Sequence, residues 1–275
     1  MLTQGTCPGN GPPAREDADV PYDRAGRGGV GPGRCGPGRE SSGVDSGNAA
    51  GQGVLRLRER SFGPGQLLVM ARVGRSPGAR GSAPDEAAAM ERVHAVVAEG
   101  ADLVDLGGGP AVPFVAAVRA AYPDLVIGIG AWRHETAREL CAAGADLLHD
   151  VDGRLAEVAA EYGAALVCGD ADGAVARGVD PSRVLIEAGL DAWPAPAATR
   201  RVEELVAAGW PVLVSVAERG LNAGGAGRLA ATAVYAWLGA RVFRADQVTQ
   251  TRRVLDMVSA IRGDRPPARA VRGLG

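Results

Sequence analysis

From Val54 onward, short runs of Val, Leu and Ile alternate with Ala-rich stretches whose apolar positions recur at helical spacing. The runs predict strands at Leu67–Ala71, Asp102–Leu106, Leu125–Ile129, Asp146–His149, Ala164–Cys168, Val184–Glu187, Pro211–Val216 and Arg241–Arg244. They are dominated by consecutive aliphatic residues, the pattern of strands covered on both faces. Helices are predicted between them near 84–98, 113–121, 134–142, 154–161, 197–208, 227–238 and 248–262. Asp85 and Glu86 after Pro84 favour a helix start, and Gly100, Gly144, Gly163 and Gly209 stand where helices should stop. Three of those stops read alike, Glu99-Gly-Ala-Asp, Ala143-Gly-Ala-Asp and Tyr162-Gly-Ala-Ala, each leading into a strand. Strands alternating with helices over about 220 residues predict a (β/α)8 TIM barrel. An open doubly wound sheet is the alternative, but the first βα turn carries no GxGxxG. Only fifteen residues separate Cys168 from Val184, room for a helical stub, so the fifth βα unit should be shortened.

Residues 1–53 follow another pattern. They hold fourteen Gly and six Pro with almost no aliphatic periodicity, and cannot bury enough apolar surface to offset ordering entropy. We expect a disordered Gly/Pro-rich tail there and the barrel domain over 54–275. The tail lacks the apolar stretch of a secretory signal, and Glu16, Asp17, Asp19 and Asp23 fit a transit peptide poorly. With no bilayer-length apolar run either, a cytoplasmic chain without membrane contact is expected.

Composition narrows the chemistry. The 30 basic residues, all Arg, nearly balance 32 acids, and aromatics make up 4%. This argues against nucleic-acid binding, which draws on a basic surplus and stacking platforms. Lysine is absent, which excludes a Walker-type phosphate lysine and a Schiff-base lysine. The four cysteines show no CxxC spacing and the three histidines no HxxxH pair, so no zinc site or disulfide framework is expected.

In a barrel, chemistry gathers at the C-terminal strand ends. Those ends carry Asp105, Asp150, Glu187, Asp246, Arg72, Arg219, Arg244 and His149. Converging Arg side chains suit an anion, a carboxylate suits an amidine-like heterocycle, and the Gly107-Gly-Gly-Pro loop offers backbone N–H groups.

Longer segments carry a resemblance. Ala98-Glu-Gly-Ala-Asp-Leu-Val-Asp-Leu-Gly-Gly, Ala142-Ala-Gly-Ala-Asp-Leu-Leu-His-Asp-Val, Gly209-Trp-Pro-Val-Leu-Val, Gly239-Ala-Arg-Val-Phe-Arg and Thr251-Arg-Arg-Val-Leu-Asp-Met-Val-Ser-Ala-Ile-Arg-Gly resemble the dihydropteroate synthase family of pterin-binding barrels. The run from Arg265 to Gly275 is similar to the end of that family's degenerate second paralogue in actinobacteria. The resemblance implies the barrel, a pterin site at its mouth, a homodimer, and the joining of p-aminobenzoate to a pterin with loss of diphosphate.

The departures from the family pattern fall on its working residues. The first-loop Asn that serves magnesium is Gly74, and the second-loop Ser-Thr-Arg run is replaced by Gly109-Pro-Ala-Val-Pro. The third-strand pterin-binding Asp is Gly130, and the last-strand His is Ala245. Other positions keep their chemistry in altered form: His149-Asp150 for Asn-Asp, Glu187 for an Asp, Arg219 for a Lys, and Arg244 unchanged. Removing one preplaced donor commonly costs about 100- to 1000-fold, and here several are absent together. The resemblance therefore implies a catalytically inactive member with no catalytic residue and no metal or other cofactor. Its substrate-binding residues would be Glu187, Arg219, Arg244, His149 and Asp150, holding a pterin or an anionic small molecule. Two alternatives stand beside it: an active synthase with rearranged loops, and a non-catalytic partner of a true synthase docked through its outer helices. Residue by residue, Glu187 reads as a pocket carboxylate or a solvated loop acid, Arg219 as a ligand contact or the partner of Glu218, and His149 as a contact or a structural residue. Cys168 reads as an inert thiol facing the mouth.

Overall fold

The computed structural model describes residues 53–74, 85–131, 133–189, 195–215 and 225–265. The expected tail lies outside them but for Gly53. The chain enters through a hairpin the sequence pattern did not predict, β1 (Leu55–Leu57) paired antiparallel with β2 (Arg60–Phe62). Eight parallel strands follow: β3 (Leu68–Arg72), β4 (Leu103–Gly108), β5 (Val126–Gly130), β6 (Leu147–His149), β7 (Ala165–Cys168), β8 (Val184–Glu187), β9 (Val212–Ser215) and β10 (Val242–Ala245). β10 pairs with β3 and closes the barrel. Between the strands run α1 (Glu86–Ala98), α2 (Val112–Ala121), α3 (His134–Ala142), α4 (Ala156–Tyr162), α5 (Ala171–Ala176), α6 (Ala195–Ala207) and α7 (Gly225–Trp237), and α8 (Val248–Arg262) follows β10. α5 is the shortened fifth helix, followed by a 3-10 turn at Pro181–Arg183. Among the described residues no helix is long and apolar enough to cross a membrane.

Strand alternation separates two cores. Leu68, Met70, Leu103, Val126, Leu147, Val167, Leu185, Leu213 and Val242 point into the barrel, and Leu55, Leu57 and Phe62 of the hairpin pack onto them as a floor. The intervening residues, such as Val69, Val104, Ile127 and Phe243, face the helices. Burying one such aliphatic side chain is worth about 1.5–3 kcal/mol, which is why three-residue strands can pin the hairpin.

The recurrent Gly-Ala-Asp segments have a physical basis. Gly100 and Gly144 adopt φ of 95° and 115°, a left-handed turn that ends α1 and α3. The following Ala101 and Ala145 N–H groups close back on Val96 and Leu140 carbonyls at 3.0 Å. Each Asp then accepts an N–H from the neighbouring strand: Val69 to Asp102 at 2.8 Å and Ile127 to Asp146 at 2.9 Å. An Arg from a covering helix locks each one. Arg252 of α8 pairs with Asp102 and donates to the Gly100 carbonyl, and Arg119 of α2 pairs with Asp146 and donates to the Gly144 carbonyl. In the third copy the Asp position is Ala165, and a fourth, Gly239-Ala-Arg, sends Arg241 to the Phe62 and Gly63 carbonyls of the hairpin.

Candidate functional site

At the top of the barrel the inward positions turn polar. Met70 is followed inward by Arg72, Leu103 by Asp105, Leu147 by His149, Leu185 by Glu187, Leu213 by Ser215 and Val242 by Arg244. β5 contributes Gly128 and Gly130 instead, so one side of the ring carries no side chain. The β4–β5 pairing shifts register between Asp105 and Gly108, so the ladder is irregular at the β4 exit.

These groups form one chain of contacts from β9 to β4. The Ser215 hydroxyl donates to Glu187 Oε1 at 3.3 Å, and Glu187 Oε2 meets His149 Nε2. His149 Nδ1 meets Arg244 Nη2, which also pairs with Asp105 Oδ2 at 2.9 Å. Asp105 Oδ1 accepts the Gly107 N–H at 2.9 Å. A guanidinium only donates, so this geometry assigns the His149 proton to Nε2, with Nδ1 accepting. The side chains of Asp105, His149, Glu187 and Arg244 are all within 13% of complete burial. Burial alone would raise the Glu187 carboxyl pKa. The His149 hydrogen bond, the pull of the Arg244 charge and the Ser215 hydroxyl outweigh it and hold the group below its ordinary value. The result is an ionised buried carboxylate able to accept from a donor-rich edge. Arg244 Nε is buried with no hydrogen-bond partner, so the guanidinium is incompletely satisfied.

Of the residues singled out in the sequence, Glu187, Arg244 and His149 are brought into direct contact. His149, read above as a contact or a structural residue, is the bridge between the other two. Arg219 lies outside the described residues. Asp150 is buried but turned onto its own loop, accepting the Leu155 N–H at 2.7 Å and facing Arg154 at 3.7 Å. The glycine loop is partly engaged: Gly107 N–H serves Asp105 and Gly109 N–H the Gly130 carbonyl. Asp105 and Ser215 were not singled out as binding residues; their signal was the break of the apolar alternation at an inward position. Cys168 is a correction. It does not face the mouth but sits fully buried in the outer core against the helices, where desolvation pushes its thiol up to about 11.

Comparison with known proteins gives a consistent result. A pterin binding enzyme family model matches residues 76–180. A Mycobacterium bovis protein named "Inactive dihydropteroate synthase 2" is 38% identical over 277 aligned positions, covering 76% of this chain and 87% of that protein. The solved structure of Mycobacterium tuberculosis Rv1207 is 37% identical with a TM-score of 0.64, covering 78% of this chain and 100% of that one. Yersinia pestis dihydropteroate synthase, 20% identical with a TM-score of 0.65 over 76% of this chain and 98% of that one, shares the fold.

Proposed function

Because this chain belongs to the dihydropteroate synthase family, we propose that it is a catalytically silent member that keeps a pocket for a pterin-like heterocycle at the barrel mouth. The observation that carries the reading is the Ser215–Glu187–His149–Arg244–Asp105 chain of contacts. It preserves an ionised carboxylate for the N–H edge of a 2-amino-4-oxo heterocycle. Among the described residues, the last-strand position where the family carries a His is Ala245, which has no side chain able to assist departure of a diphosphate. The M. bovis relative is likewise named as an inactive synthase. The test is dihydropteroate formation by the purified full chain with magnesium, beside rescue of a synthase-deficient strain. Turnover above about one-thousandth of a typical enzyme rate, or rescue, would sink the proposal.

Self-association is the second part of the reading. Val234 and Trp237 on α7 and Met257 and Ile261 on α8 are 50–65% exposed, although the two helices are joined by an Arg262-to-Ala236 hydrogen bond. α7 carries a single charged residue, Arg228, and a helix apolar nearly all round belongs under cover. The four side chains expose on the order of 400 Å², about half of what one subunit contributes to a standard interface. A second copy presenting the same face is the partner this supports. Light scattering should give a dimer that Trp237→Glu with Met257→Glu converts to monomer; a monomeric parent chain refutes it.

A further inference from the structure

We infer that the mouth of this barrel has closed its divalent-cation position, and that its ligand is a neutral heterocycle bound without a metal-bridged diphosphate. The ligand half rests on the proposed function; the cation half stands on the strand exits alone.

The family resemblance puts an amide ligand for magnesium at the β3 exit, where this chain has Gly74. A Cβ at Gly74 would fall 1.9 Å from the Leu106 carbonyl oxygen, 2.4 Å from its carbon and 2.8 Å from Gly107 N. These are main-chain atoms of the β4 exit. The two exits are laced together beyond the sheet, with the Val73 and Gly74 N–H groups donating to the Asp105 carbonyl at 2.9 and 3.3 Å. The position has therefore not merely lost a side chain: backbone fills the room a side chain needs. Restoring one would push main chain aside by roughly 1.5 Å, given ordinary contact near 3.5 Å.

The donor set points the same way. A hard cation needs several free oxygen ligands. Both Asp105 oxygens are engaged, by Arg244 and by the Gly107 N–H. Asp150 is bound to its loop. Among the described residues no three His, Cys, Asp or Glu side chains gather at a cation-sized site. Charge adds a further argument. Asp105, Glu187 and Asp246 face Arg244 and Arg72, the last 3.9 Å from Asp246, so among these groups acids outnumber bases. Among these described groups, a diphosphate without its cation would meet more acids than bases, whereas an uncharged heterocycle adds no charge.

The test uses the full chain and two independent probes. Mn2+, standing in for Mg2+, is titrated while water-proton relaxation is followed. Calorimetry then compares 6-hydroxymethylpterin with its diphosphate ester, each with magnesium and with EDTA. No Mn2+ site tighter than millimolar is expected. The neutral pterin should bind at least as tightly as the diphosphate, with EDTA changing either affinity by less than about threefold. A micromolar Mn2+ site, or a tenfold gain for the diphosphate on adding magnesium, overturns the inference. If neither pteridine binds, the heterocycle reading and the ligand half fall together, while the Mn2+ result still decides the cation half. Gly74→Asn should lower Tm by more than about 5 °C and bind no Mn2+; unchanged Tm with a new Mn2+ site also overturns it.

Discussion

Removing either partner of the Asp105–Arg244 pair should cost the fold far more than removing both. The two lie 2.9 Å apart with side chains 9% and 12% exposed. Arg244→Met leaves the Asp105 carboxylate buried with only the Gly107 N–H to satisfy it. Asp105→Leu leaves a guanidinium whose Nε already lacks a partner. Breaking a buried pair from one side costs about 3–5 kcal/mol; the lower end applies here because His149 still contacts Arg244 and some solvent reaches both groups. For a domain of this size 1 kcal/mol moves Tm by roughly 2–4 °C, so each single variant should melt about 6–12 °C lower. The double variant replaces charge with apolar volume and should lie within about 1 kcal/mol of the parent, a coupling energy of about 5 kcal/mol. Urea unfolding of the four proteins, with m-values compared to confirm the same transition, measures it. Additive costs would refute the reasoning. So would a stabilising Arg244→Met alone, which would mean that Arg244 is held against its environment for a ligand and not anchored by Asp105.

Three further predictions concern the surroundings of the site. The folded Glu187 pKa lies below its unfolded value, so its contribution is complete above the unfolded value near about 4.3 and is lost as pH falls through the folded one. Thermal unfolding across that acid limb should therefore fall more steeply in the parent than in Glu187→Gln, and parallel curves would count against it. Asp146→Ala should cost about 3 kcal/mol and more than Asp102→Ala. Asp146 holds Arg119, Arg58 and the Ile127 N–H at 9% exposure, whereas Asp102 holds one Arg and one N–H at 22%. Equal losses in chemical unfolding would remove the burial argument. The Cys141 thiol, pushed up to about 12 mainly by desolvation, and Cys168, at about 11, should resist a thiol reagent at neutral pH until the chain unfolds; labelling of either in the native state, read by peptide mass, would contradict this.

Much of the barrel was legible because parallel strands covered on both faces must be apolar at consecutive positions. Every predicted barrel strand begins within one residue of the observed one, and seven of the eight begin one residue early. The early residues include Asp102, Asp146 and Arg241, which leave the ladder to hold neighbouring strands and the hairpin from the barrel floor. The hairpin itself went unseen. Its three-residue strands interleave Arg56 and Arg60 with buried Leu55, Leu57 and Phe62, too short for a period, and the barrel floor supplies the reason they pair. Cys168 was assigned to the wrong face because alternation fixes parity only once register is known, and register comes from the β6 and β8 partners.

At the site, the missing chemistry is readable from residue identity alone: side chains absent at Gly74, Gly130 and Ala245 cannot be supplied by folding. The sequence also marked Glu187 and Arg244 as strand-end charges. What those survivors touch is set by contacts between distant strands. His149 reaches Glu187 across 38 residues and Arg244 across 95, contacts that closure of the barrel creates and no local pattern encodes. The same closure carries the Leu106 carbonyl into the space beside Gly74 and turns a missing side chain into a filled position. Composition and alternation are properties of neighbours along the chain; a mouth assembled from eight strand ends is a property of neighbours in space.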